Sequence, residues 1–213
     1  FVVLTAYGRV RSHDYNLPVF TTHGAHEGIT KNWSVRKKIE PDHVKIIEKG
    51  TSFHLGPFTI TPFGVPHDST DNVGYRIVYG DVNFVLMTDI GHLTDEMKGY
   101  IAEANYLVIE ADYEPQMLAA GPYPQHSKER IAGPYGHQSN QECAEALAAY
   151  ATPRLKHVWL CHLSDENNHP DLAEKTVKQL LRDHGIVAGN EKGADFALDV
   201  LKRKTPSEVF DLL

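Results

Sequence analysis

The sequence predicts one α/β domain over residues 1–213, built of sheets covered by helices. Three observations carry this expectation. From His43 to Phe84 the chain is mostly short apolar runs of period two, broken by Gly, Pro and Asp. Beyond that point buried strands alternate with amphipathic helices, which argues against a sheet doubly wound throughout. No internal repeat, low-complexity tract or linker divides the 213 residues, a length suited to a single core.

In chain order, Phe1–Thr5 and Leu17–Thr21 read as strands, separated by a stretch of turn residues. A helix is expected over His23–Asn32, with Thr22 as N-cap and Glu27 in the first turn. HVKIIE (43–48), FTITPFGV (58–65) and GYRIVYG (74–80) alternate as half-buried strands do. VNFVLMTD (82–89) is a nearly continuous apolar run that ends in a polar Asp, as in a buried strand delivering a side chain at its tip. Thr94–Glu103 is a helix capped by Thr94, and Tyr106–Glu110 a buried strand. Ser139 and Glu142 have the spacing of a capping box for an Ala-rich helix ending at Tyr150. His157–Cys161 is another buried strand, and Pro170–His184 a helix opened by Pro and Asp and stopped at Gly185.

Composition narrows the function classes. Hydrophobic residues make up 41% and charged ones 23%, enough for a core and against disorder. FVVL (1–4), FVLM (84–87) and YLVI (106–109) are too short to span a bilayer, and no signal-peptide pattern opens the chain. A cytoplasmic protein with no membrane partner is therefore expected. The first residue is Phe1 rather than Met, so a preceding piece is also expected. Two cysteines, Cys143 and Cys161, build neither a disulfide framework nor a thiolate zinc site. A net charge of −7 is the wrong sign for holding nucleic acid through a general basic field. The unusual number is thirteen histidines, the commonest metal ligand and the usual proton carrier near pH 7.

Three polar residues end apolar strands, where rigid elements present side chains to a site: His67, Asp89 and His162. His137 precedes a helix in GHQSN. Two imidazoles and a carboxylate suit zinc, manganese or iron. The spacings, 22 residues from His67 to Asp89 and 73 from Asp89 to His162, leave a metal site and three unrelated strand-end residues both open. Glu110 and Asp112 follow YLVIE and could accept a ligand imidazole's second N–H or merely cap a turn. Asp68, beside His67, has the same two readings. His23 and His26 in HGAH belong to a surface helix, His92 to a loop, His157 and His169 to the surface or turns. The remaining histidines have no partner pattern. Cys161 alternates away from His162 and reads as core. Arg36–Lys38 and Lys202–Lys204 read as solvated faces.

VPHDSTDNVGYRI, VLMTDIGHLTDEM, the stretch from IEADYEPQMLAAGPYP to SKERI, GHQSN and CHLSDENNHPDLA occur in that order. Together they resemble the metallo-β-lactamase-fold hydrolases, and specifically their WalJ (YycJ) branch of bacterial nucleases, from about Arg9 to His184. The resemblance implies a four-layer αββα sandwich with two divalent ions, Zn²⁺ or Mn²⁺, at one edge of its sheets. Carried over, His67 would bind one ion, Asp89 would bridge both and His162 would bind the other. His137 would protonate the leaving oxygen as a hydroxide shared by the metals attacks phosphorus in line. The implied activity is that of a phosphodiesterase, a 5′–3′ DNA exonuclease-like enzyme, acting on nucleic acid or on a small phosphodiester. Other esters are hydrolysed on the same scaffold, so the fold alone does not choose among them.

One departure stands out. The superfamily's His-x-His-x-Asp-His motif, which supplies the remaining ligands, is absent, and no two histidines are two residues apart. FVVLTAYG resembles the family's opening strand, whereas RVRSHDYNLPVFTT resembles the segment after the motif. A metal-loop segment omitted between Gly8 and Arg9 is the favoured explanation; a metal-free binding protein is the reading if the 213 residues are complete. The purified protein should therefore show an intact mass well above 23.8 kDa, and a value near 23.8 kDa would contradict the omission.

Overall fold

The computed structural model describes residues 17–35 and 38–212. The expected strand Phe1–Thr5, the Gly8–Arg9 junction and His13 lie outside these residues, as do Arg36 and Lys37.

Among the described residues nine strands and six α-helices follow one another. They are β1 (Val19–Thr21), α1 (His23–Lys31), β2 (Val44–Ile46), β3 (Phe53–Leu55), β4 (Phe58–Gly64), β5 (Val73–Tyr79), β6 (Val82–Met87) and α2 (Asp95–Glu103). Then come β7 (Tyr106–Glu110), α3 (Pro115–Ala120), α4 (Gln125–Ile131), α5 (Asn140–Tyr150), β8 (His157–Cys161), α6 (Pro170–Asp183) and β9 (Ala197–Val200). β1 and β2 form a parallel pair, and β3 to β9 form a seven-stranded sheet in sequence order. β3 to β6 are antiparallel neighbours, whereas β6 to β9 run parallel. This is the switch from hairpins to βα units that the sequence implies. Two antiparallel steps separate β4 from β6, so the C-terminal ends of β4, β6, β7, β8 and β9 share one edge.

Alternation sorts the side chains between two faces. Val85, Met87, Leu107, Ile109, Val158 and Leu160 point to one side and pack against Met97 and Ile101 of α2, Cys143 and Leu147 of α5, and Ala173, Val177 and Leu181 of α6. The α6 residues recur every four positions, the stripe of a helix laid on a sheet. The opposite face carries Phe84, Leu86, Tyr106, Val108 and Trp159, against which Leu201, Phe210 and Leu212 pack. The rings of Phe20 on β1 and Phe53 on β3 stack at 5.0 Å, joining the small sheet to the large one. Among the described residues no helix is long and apolar enough to cross a membrane.

The expected helices begin at their caps, but Glu27, expected in the first turn of α1, falls beyond it because the helix already starts at His23. Thr22, Thr94 and Ser139 accept from Ala25, Met97 and Glu142 N–H, and Ser139 and Glu142 complete a capping box. His157, expected at the surface, instead stacks on Trp159 at 3.9 Å and sets Nε2 2.6 Å from Asp199 Oδ2. His43 is also partly buried. Leu107 is fully buried and Ile46 half-exposed, so Leu107→Ala should cost about 2–5 kcal/mol and Ile46→Ala well under 1 kcal/mol. Chemical denaturation of the two variants checks this contrast.

Candidate metal centre

The shared C-terminal edge of the strands gathers side chains far apart in sequence. His67 follows β4, Asp89 and His92 follow β6, Glu110 ends β7, and His162 follows β8. His137 arrives from the loop before α5, two residues ahead of that helix's cap, Ser139. Open α/β sheets bind ligands in the crevice outside such carboxyl ends.

Glu110 organises the group. Its carboxylate is fully buried, and Oε1 lies 2.8 Å from Nδ1 of both His137 and His162. Oε2 accepts from the Ile90 and Gln138 backbone N–H groups. A carboxylate only accepts, so both rings carry hydrogen on Nδ1 and present Nε2 outward. Burial disfavours the ionised Glu110, but its bonds to His137 and His162 outweigh that and hold its pKa below the ordinary value. For His162, burial opposes protonation, yet the bond to Glu110 and the nearby charges of Asp89 and Asp112 raise the pKa to about 9. The pKa of His137 is also raised, its burial outweighed by Glu110. Burial pushes Asp112, 3.8 Å from His162 Nδ1, up to about 6.

Asp89 occupies the centre. Its Oδ1 lies 3.3 Å from His162 Nε2 and 3.6 Å from His67 Nε2. His67 turns Nδ1 to the Gly136 carbonyl at 2.8 Å, which fixes hydrogen there and leaves the Nε2 lone pair facing Asp89. Donor atoms sharing a tetrahedral zinc at 2.0–2.1 Å stand about 3.3 Å apart, so these pairs fit donors to common ions. Asp89, Glu110, His137 and His162 each offer one atom that could hold a metal, all within 4.8 Å of one another, a group that does not include His67. Asp89 and His162 have φ of 57° and 58°, a left-handed backbone uncommon outside glycine and often found at working sites. Asn72 Nδ2 stabilises the first by donating to the Thr88 and Asp89 carbonyls at 3.1 Å each.

Other partners escape a reading by sequence alone. Asp68 forms a bidentate pair with Arg130, 62 residues away, which holds its carboxyl below the usual range despite partial burial. Its backbone N–H donates to the Tyr135 carbonyl at 2.9 Å. The 131–137 loop presses on Gly91, where an added Cβ would stand 2.4 Å from the Pro134 carbonyl oxygen. Asn168 donates to the Ala111 and Asp112 carbonyls and exchanges bonds with Asn140, bracing the end of β7. The two asparagines of HLSDENN are visible as a motif, but what they hold is not.

Residues 4–163 match the model of the Beta-lactamase superfamily domain. The exodeoxyribonuclease YycJ of Bacillus anthracis is 33% identical over 184 residues, covering 84% of this chain and 67% of that protein. The exodeoxyribonuclease WalJ of Streptococcus pneumoniae serotype 2 is 36% identical over 152 residues, covering 71% of this chain and 56% of that protein. Among solved structures, the metallo-β-lactamase fold protein YhfI of Bacillus subtilis aligns with a TM-score of 0.58 at 18% identity, over 87% of this chain and 62% of that one. Zn²⁺-bound PqqB of Methylobacterium extorquens aligns at 0.55 and 15%, over 85% and 59%. The chain thus spans between just over half and two thirds of these proteins' lengths.

Because the folded pKa of His162 lies above the unfolded value near 6.5, its stabilisation is complete below about pH 6.5 and is lost as pH rises through about 9. The melting temperature of metal-free protein should fall across that window, and His162→Gln should flatten the fall. A wild-type slope in the variant would contradict this.

Proposed function

The chain belongs to the β-lactamase superfamily, and from that premise we propose that it is a metal-dependent phosphodiesterase, a nuclease of the 5′–3′ DNA exonuclease kind. The observation that carries this reading is the division of labour around Asp89 and Glu110. His67 and His162 approach one Asp89 oxygen through Nε2, while His137 and His162 are oriented by one Glu110 oxygen. The donor set of imidazoles and carboxylate suits zinc or manganese.

In this reading His67, Asp89 and His162 would hold the divalent ions, with Asp89 as the carboxylate shared between the two histidines. When bound, such a pair acidifies water to supply the nucleophile and offsets charge on the phosphate oxygens. Further ligands are assigned to the segment proposed between Gly8 and Arg9, outside the described residues.

His137 is the general acid. Glu110 fixes its ring through Nδ1 and favours the imidazolium, so its Nε2 proton is available to the departing alkoxide. Glu110 and Asp112 serve the histidines rather than the ions, and Asp68 positions Arg130 and the loop around Tyr135. The exodeoxyribonuclease names of YycJ and WalJ favour DNA over a small phosphodiester as substrate.

His137→Ala should lower turnover of end-labelled DNA with Mn²⁺ or Zn²⁺ by about 10²–10⁴-fold and leave metal content at two ions per chain. Loss of metal together with activity would make His137 a ligand instead. No hydrolysis by metal-loaded wild type would overturn the enzyme reading. Glu110→Gln should weaken metal binding about 10–100-fold, measured by competition with a chelating dye.

A further inference from the structure

The catalytic edge of the sheet is flanked on two sides by groups that the reaction does not use. On one side stands Tyr135, 58% exposed, in the loop that holds His67 and His137. Its ring meets that of His92 edge to face at 5.8 Å, and His92 Nδ1 donates to the Pro134 carbonyl at 2.7 Å. This aromatic pair is held firmly from below. The Tyr135 carbonyl accepts from Asp68 N–H, the His137 N–H donates to Ile131, and the Gly91 N–H donates to Pro66. A rigid exposed ring loses little freedom when a flat partner covers it.

On the other side the chain leaves β9. Leu201 N–H donates to the Leu160 carbonyl, two residues before His162, so Lys202, Arg203 and Lys204 emerge beside the metal cluster. Arg203 Nη1 and Lys204 Nζ lie 3.6 and 3.5 Å from Asp165, three residues past His162. Both pairs are exposed and exchangeable, since such pairs contribute little to stability. The order of strands along the sheet runs from His67 after β4, through Asp89 and His92 after β6, to His162 after β8, with these cations following β9 beyond it.

We propose that this edge is a track for a nucleic-acid strand, which stacks an unpaired base on Tyr135 and places neighbouring phosphates on Arg203 and Lys204. The inference rests on the phosphodiesterase reading and names its substrate as a polymer with bases rather than a small diester. It also reconciles a nucleic-acid substrate with a net charge of −7, since two cations local to the edge need no general basic field over the surface. Stacking tolerates any base, since every base has a π face, so little sequence preference is expected.

The test uses the full-length protein in EDTA, which separates binding from turnover. Anisotropy would be read for a fluorescent single-stranded DNA 12-mer and for the same strand made abasic. Tyr135→Ala should weaken binding of the normal strand about tenfold and leave the abasic strand unchanged, with Tyr135→Phe retaining wild-type affinity. The double variant Arg203→Ala, Lys204→Ala should weaken both strands and flatten the slope of log K against log salt by about 1.4, at ~0.7 per lost phosphate contact. Asp165→Asn should tighten both, an effect that a purely structural role would not give. Equal losses on normal and abasic strands for Tyr135→Ala, or a wild-type salt slope in the double variant, would overturn the track. If the track holds but metal-loaded wild type fails to hydrolyse methyl p-nitrophenyl phosphate or DNA, the phosphodiesterase reading fails instead. Hydrolysis of both, with no change of DNA binding in any variant, sinks the track alone.

Discussion

A single buried carboxylate ties this edge of the molecule together. An ionised carboxylate out of water is costly unless hydrogen bonds replace its hydration. Glu110 receives His137 and His162 on one oxygen and the Ile90 and Gln138 backbone on the other. These four donors come from the ends of β6 and β8 and the approach to α5, so the charge is satisfied only when those elements are correctly placed. The same bonds fix the tautomers of two imidazoles, so the fold and the chemistry of the site depend on one group.

The surroundings absorb the cost of that arrangement. Asp89 and His162 take left-handed backbone angles so that their side chains turn inward at strand ends. Asn72 braces the first turn, and Asn168 with Asn140 braces the end of β7. The core beneath, with Met87, Ile109 and Leu160 fully buried, gives these strand ends a rigid base. Cys143 and Cys161 are buried in that framework, and burial pushes both thiols well up, so neither is poised as a nucleophile.

Local signals were legible in the sequence, and long-range pairings were not. β7 and β8 begin and end where YLVIE and HVWLC do, because a strand buried on both faces shows as an unbroken apolar run. Helices α1, α2 and α5 announced their starts through capping side chains. β3 and β9 went unread since runs of three and four residues acquire strand character only from their neighbours. Neither α3 nor α4 has a side-chain cap bond to mark its start. In the site, strand-end position singles out His67, Asp89 and His162, and leaves Glu110 between two roles. What distinguishes those roles is a partner 27 residues away for His137 and another beyond β8, which no local pattern encodes. The pairing of Asp68 with Arg130 and the edge contact of His92 with Tyr135 were illegible for the same reason.

Whether Glu110 orients imidazoles while Asp89 lies between two ions is tested most directly by anomalous diffraction from crystals of the full-length protein loaded with Mn²⁺ or Zn²⁺. Two peaks are expected flanking the Asp89 carboxylate, one beside His67 Nε2 and the other beside His162 Nε2, with Glu110 bonded to neither. A single peak, or a peak ligated by Glu110, would contradict this arrangement.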